Sequence, residues 1–87
     1  MPHPDIHAHG ELLQELLKEI RREKNLTQVD LAAVLDQSQS FVSKYESGER
    51  ILDILEVRFI CLRLGIPFLD FCSRLEQRIG HEEGKSS

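Results

Sequence analysis

The sequence has no tryptophan, one tyrosine and four phenylalanines, so aromatic residues fill only 6% of its 87 positions. A chain this poor in β-favouring aromatics and this rich in leucine and isoleucine leans towards helices. Basic residues are in deficit too: 11 Lys and Arg face 15 Asp and Glu, for a formal charge of −4. On composition alone that balance argues against a polyanion-binding surface. The field at one face can still differ from the average, so the order of the residues has to decide. Long hydrophobic runs are missing. Charge interrupts the apolar stretches every few residues, far short of the roughly 20 a membrane span needs. The first ten residues hold Pro2, His3, Pro4, Asp5, His7 and His9 instead of an apolar run. No signal peptide is expected, and a soluble cytoplasmic protein without a membrane partner follows.

Cysteine is scarce. Cys61 and Cys72 sit in apolar helical patterns without Cys-x-x-Cys or Cys/His ligand spacing, which predicts buried free thiols. His3, His7 and His9 are near one another but lack the rigid frame a metal site needs. Pro2 also lacks the amide that an amino-terminal copper chelate with His3 would use. Glycine-rich phosphate loops, nucleophile elbows and His-Glu metal spacings are absent, so no catalytic residue, metal or cofactor is expected, and the chain does not read as an enzyme.

What is present is helical punctuation. The hydrophobic fraction of 40% and charged fraction of 30% are those of a globular domain, and the length allows one. Leu12, Leu13, Leu16, Leu17 and Ile20 recur at spacings of three and four, predicting an amphipathic helix from Glu11 to Lys24, with Asn25 able to end it in a left-handed conformation. Thr27 and Asp30 have capping-box spacing, flanked by Leu26 and Leu31, so a second helix starts at Gln28; it carries Val29, Leu31, Ala32, Val34 and Leu35 and stops near Asp36. Ser38 caps a third helix, Gln39 to about Glu46, with Phe41, Val42 and Tyr45 apolar and Gly48 as its stop. A second capping box, Asp53 to Glu56, opens a fourth helix through Leu64, closed by Gly65. Pro67 suits the first turn of a fifth, ending about Ile79. The organisation expected is all-α: a flexible tail over 1–10, a compact five-helix domain over 11–79 and a flexible tail over 80–87. Two short helices joined by a tight turn within about 20 residues have the dimensions of a helix-turn-helix unit.

The segments Leu26-Thr27-Gln28-Val29-Asp30-Leu31-Ala32 and Ser38-Gln39-Ser40-Phe41-Val42-Ser43-Lys44-Tyr45-Glu46-Ser47-Gly48-Glu49-Arg50 resemble the Cro and phage-repressor, or XRE, family of helix-turn-helix proteins. The likeness spans about residues 12 to 77. It implies a repressor-like fold that binds double-stranded DNA, as a homodimer on an inverted repeat, through the third helix. With Leu31, Leu35, Val42 and Tyr45 inward, Gln39, Ser40, Ser43 and Lys44 fall on the exposed side, and amide and lysine side chains suit adenine and guanine edges. Gln39, Ser40 and Lys44 are the expected base readers, and Ser38 and Ser43 contact phosphate or bases. By resemblance Gln28 touches the DNA backbone, while Arg50 lies in a loop able to follow the phosphate strand. Phe41 is expected to pack against Leu52 or Leu55, with a thymine methyl as the alternative. Many members carry glycine where this chain has Asp36, and an apolar residue where it has Gln37.

The resemblance also pairs Arg21 with Glu46, whose negative charge opposes the dipole at a helix carboxyl end. Removing Glu46 is then expected to lower stability without changing which DNA is preferred. Two rival readings stand beside DNA binding: a protein-binding helical module that has lost DNA affinity, which the acidic balance favours, and an antitoxin of the same fold. A non-negative stripe of Lys44, Arg50 and neighbours along the third helix separates DNA binding from the module.

Overall fold

The computed structural model describes residues 9–85. Five helices follow one another: α1 (Gly10–Glu23), α2 (Gln28–Leu35), α3 (Gln39–Ser47), α4 (Ile54–Leu64) and α5 (Phe68–Lys85), with no strand among the described residues. His3 and His7, and most of the expected amino-terminal tail, lie outside the described residues.

Local chemistry sets the helix ends. The Thr27 hydroxyl accepts from the Asp30 N–H at 3.0 Å, and the Asp30 carboxylate accepts from the Thr27 N–H at 2.9 Å. Asp53 and Glu56 repeat the reciprocal box, and Ser38 Oγ accepts from the Phe41 N–H at 3.2 Å. Three helices close with paired back-bonds to carbonyls of the last turn: Leu26 N to Arg21 O, Gln37 N to Ala32 O and Ile66 N to Cys61 O. Each such end needs one left-handed residue, supplied by Asn25 (φ 59°), Asp36 (φ 57°) and Gly65 (φ 78°). Asp36 thus makes the bend in the helix-turn-helix that glycine makes in many relatives.

The helices are too short to stand alone, and packing holds them. α2 lies on α3 and α4, while α1 lies on α3 and α5, and α4 meets α5. Leu16, Leu17 and Ile20 of α1, Leu31 and Leu35 of α2, Val42 and Tyr45 of α3, Ile60 and Cys61 of α4 and Phe71 of α5 are all essentially sealed from solvent. At about 1.5–3 kcal/mol for each large apolar side chain, this single core is the main cohesive force.

Several expectations are corrected. α5 continues to Lys85, past the stop foreseen at Ile79. Polar sequence does not end a helix already anchored by Phe71, and Arg78 pairs with Glu19 of α1 near that point. Cys61 is buried, and burial pushes its thiol up to about 12, but Cys72 is only half-buried. Val29 and Val34 of α2 face solvent, because only Leu31, Ala32 and Leu35 reach the core.

Candidate nucleic-acid interface

Burying Val42 and Tyr45 turns the opposite face of α3 outward. Gln39, Ser40, Ser43 and Lys44 are exposed there, together with Ser38 at its start. Lys44 forms no ion pair with a described residue. Ser38 already accepts the Phe41 amide with its hydroxyl oxygen, leaving its O–H as a donor.

Behind this face lies a polar relay. Arg21 is buried. Its guanidinium donates to Glu46 from Nε at 2.8 Å and Nη2 at 3.0 Å, and to the Leu26 carbonyl from Nη1 at 2.7 Å. The two side chains are 8% and 2% exposed. The hydrogen bond to Glu46 holds the guanidinium charged, raising its pKa further. This is the pairing the sequence implied, in its buried form.

Glu46 Oε1 also accepts from Gln28 Nε2 at 3.0 Å, and Gln28 Oε1 accepts from Gln39 Nε2 at 3.5 Å. A carboxylate only accepts, so the Gln28 amide nitrogen must turn inward and its carbonyl outward, where the exposed Gln39 amide meets it at the long limit of a hydrogen bond. Gln28 and Gln39 are thus linked through Glu46 to α1. Sequence reasoning separated their roles and placed Glu46 outside the interface. The structure joins Glu46 directly to Gln28.

Arg50 is placed differently from Lys44. Its Nη2 donates to Glu56 Oε2 at 2.6 Å, and the guanidinium lies 5.0 Å above the Phe41 ring. That ring stands edge-on to Tyr45 with centroids 5.5 Å apart. Phe41 is therefore half-buried at the base of α3 and carries Arg50 on its outer surface. Leu55, its suggested partner, is 72% exposed. The link from Arg50 to a capping-box glutamate has no periodic signature, which is why it was not foreseen. The basic character of the interface rests on Lys44, with Arg50 half-neutralised. Across the α1–α5 junction Glu19 and Glu23 pair with Arg74 and Arg78. Among the described residues no three His, Cys, Asp or Glu side chains are grouped to hold a metal ion, and no helix is long and apolar enough to cross a membrane.

A tight turn between two packed helices, with the second presenting polar side chains, defines a helix-turn-helix domain of the DNA-binding regulator class. The family model for helix-turn-helix proteins matches residues 17–71, and the chain belongs to the XRE-type helix-turn-helix family. An XRE-family like protein from Pseudomonas syringae pv. tomato is 40% identical, with 83% of this chain and 88% of that one covered and a TM-score of 0.76. The restriction-modification controller protein C.Esp1396I is 28% identical over 83% of this chain and 95% of its own, at a TM-score of 0.77. The clp gene regulator ClgR from Corynebacterium glutamicum shares the fold at a TM-score of 0.76, with 21% identity over 98% of this chain and 87% of that one. No curated protein matches the sequence.

Proposed function

We propose that the chain is a cytoplasmic, repressor-like transcriptional regulator that binds double-stranded DNA as a homodimer, with α3 in the major groove. The observation that carries this is the outward face of α3, where Gln39, Ser40, Ser43 and Lys44 are exposed together and Gln39 lies beside Gln28. One Gln39 N–H faces the Gln28 carbonyl at 3.5 Å. Its carbonyl and remaining N–H form the acceptor–donor pair that addresses adenine N6 and N7 together, so adenine is the base we assign to Gln39. Ser40 and Lys44 read neighbouring bases, Lys44 favouring guanine. Ser38, Ser43 and Arg50 serve the backbone, Arg50 once phosphate competes with Glu56. Gln28 contacts Gln39 through its outward carbonyl and stands at the opening of α2, whose free backbone amides are offered to a phosphate.

The partner in the dimer is a second copy seated on α4. Leu55, Phe59 and Leu62 recur at spacings of four and three along one face and are 72%, 41% and 50% exposed. This stripe lies on a helix that neither reads DNA nor needs those residues for its core, and a two-fold axis makes it complementary to itself. A restriction-modification controller of the same fold supports the regulatory reading.

The protein-binding module is the alternative the net charge favours. Selection of bound duplexes from a random pool separates the two. We expect an inverted repeat whose half-sites are about 34 Å apart, one duplex turn. Leu55→Glu should convert the dimer to a monomer in sedimentation and weaken the site. Recovery of no consensus leaves the module as the account.

A further inference from the structure

The outward face of α4 is charged unevenly along its length. At about 3.6 residues per turn, Glu56 and Arg63 fall on one side of the Leu55, Phe59 and Leu62 stripe, near its two ends, and Arg58 falls on the other. Arg63 is exposed, forms no ion pair with a described residue and lies with its guanidinium 5.2 Å above the Phe59 ring. That contact keeps a cation at the edge of the apolar stripe. Towards the amino end of α4, a cleft of about 440 Å³ opens between this helix and the base of α3. Phe41, Leu55 and Phe59 give it an apolar wall, and its charged groups are Arg50, Asp53 and Glu56. Two carboxylates against one guanidinium leave the cleft negative. Both have acceptor capacity to spare: Asp53 takes one amide through Oδ1, Glu56 takes the Asp53 amide and Arg50, and a carboxylate offers about four lone-pair sites.

We propose that two copies pack α4 against α4 antiparallel, so that Arg63 of each enters the other's cleft and pairs with Asp53 and Glu56. This rests on the α4 dimer given above and adds its orientation and its polar contacts. A two-fold axis perpendicular to the helices lays like flanks together with their ends exchanged, which sets Glu56 opposite the partner's Arg63 at two symmetric places. Antiparallel packing also brings the positive amino end of each helix beside the negative carboxyl end of the other. The same operation draws Arg58 towards the partner's Arg58, a repulsion that the two ion pairs have to outweigh. A parallel pairing makes the reverse assignment, with Glu56 beside the partner's Arg58 and Arg63 unused.

Charge exchange, followed by sedimentation of the full chain without DNA, tests this near the concentration at which half of the parent is dimeric. Arg63→Glu and Glu56→Arg should each be largely monomeric alone, since each homodimer then opposes like charges at both contacts. Their equal mixture should recover the dimer, because both contacts of the mixed pair are again of opposite sign. Arg63→Ala should weaken the parent dimer roughly 2- to 30-fold, the worth of two exposed ion pairs, and Arg58→Ala should strengthen it. If Glu56→Arg fails to fold for want of its capping box, the two alanine variants decide. A mixture no more dimeric than its components, an Arg63→Ala dimer as tight as the parent's, or weakening by Arg58→Ala overturns the pairing; dissociation by Leu55→Glu in the same experiment would leave the α4 interface standing. A parent monomeric at every concentration reached, or a dimer indifferent to Leu55→Glu, removes that interface and the pairing with it.

Discussion

Replacing Glu46 by alanine should perturb the fold, and the geometry sets the size of the effect. The carboxylate receives two bonds from Arg21 and one from Gln28, at 2.8, 3.0 and 3.0 Å, in a pair whose side chains are 8% and 2% exposed. Removing one partner of a buried pair costs about 3–5 kcal/mol, because the other charge is left uncompensated. Arg21 keeps its 2.7 Å bond to the Leu26 carbonyl, so the lower end, about 3 kcal/mol, applies. With a urea slope near 1 kcal/mol per molar, the midpoint should fall by about 3 M. The melting temperature should drop by roughly 12–24 °C. The double variant Arg21→Met/Glu46→Leu should regain most of the loss, since neither charge is then orphaned. A loss below about 1 kcal/mol, the range of an exposed pair, with no recovery in the double variant, would refute the buried relay.

Asp36→Gly should stabilise the domain by up to about 1 kcal/mol in urea titration, since Asp36 holds φ 57° and glycine is free of that penalty; destabilisation would mean the Asp36 side chain contributes more than its angle costs. Gly48→Ala and Gly65→Ala should destabilise by similar amounts, about 1 kcal/mol each in urea titration, because both positions need positive φ. A Cβ at position 65 meets open space, and one at 48 meets only the flexible end of Gln14 at 3.0 Å, which can move aside; a much larger loss at 48 would show that Gln14 is held in place. Asp30 and Glu56 are held below the usual carboxylate range, in both cases first by a backbone N–H, from Thr27 and Asp53 respectively. Because the folded pKa values are lowered, these caps contribute fully above about pH 4 and are lost as pH falls through the lowered values. Acid titration should therefore reveal stability in Asp30→Ala less sensitive to pH below 4 than in the parent.

Helix ends were legible because their chemistry is local: Thr27 with Asp30, Asp53 with Glu56, Ser38, Gly48 and Gly65 each act within four residues. Asn25 and Asp36 were legible as residues tolerant of left-handed angles. The end of α5 was not. Gly80 and Gly84 look like stops in a polar stretch, yet neither takes a positive φ, and both lie inside the helix. Nor could periodicity divide α4, whose apolar residues fall on two faces: Val57, Ile60, Cys61 and Leu64 face the core, while Leu55 and Leu62 face out. The family resemblance located Gln28, Gln39 and Glu46 separately. Their joining depends on how α1, α2 and α3 meet, which no sequence spacing expresses. The attachment of Arg50 to Glu56 and Phe41 is hidden for the same reason.

The central claim is that α3 reads bases through Gln39. It is tested most directly by measuring affinity for the selected site and for versions with its half-site adenine replaced, using the parent and Gln39→Ala. The parent should lose about 1–3 kcal/mol on replacement of that adenine. Gln39→Ala should bind the intact site correspondingly less well and lose almost nothing further when the adenine is changed. If Gln39→Ala keeps the parent's full preference at every position of the site, Gln39 does not read bases and the account is contradicted.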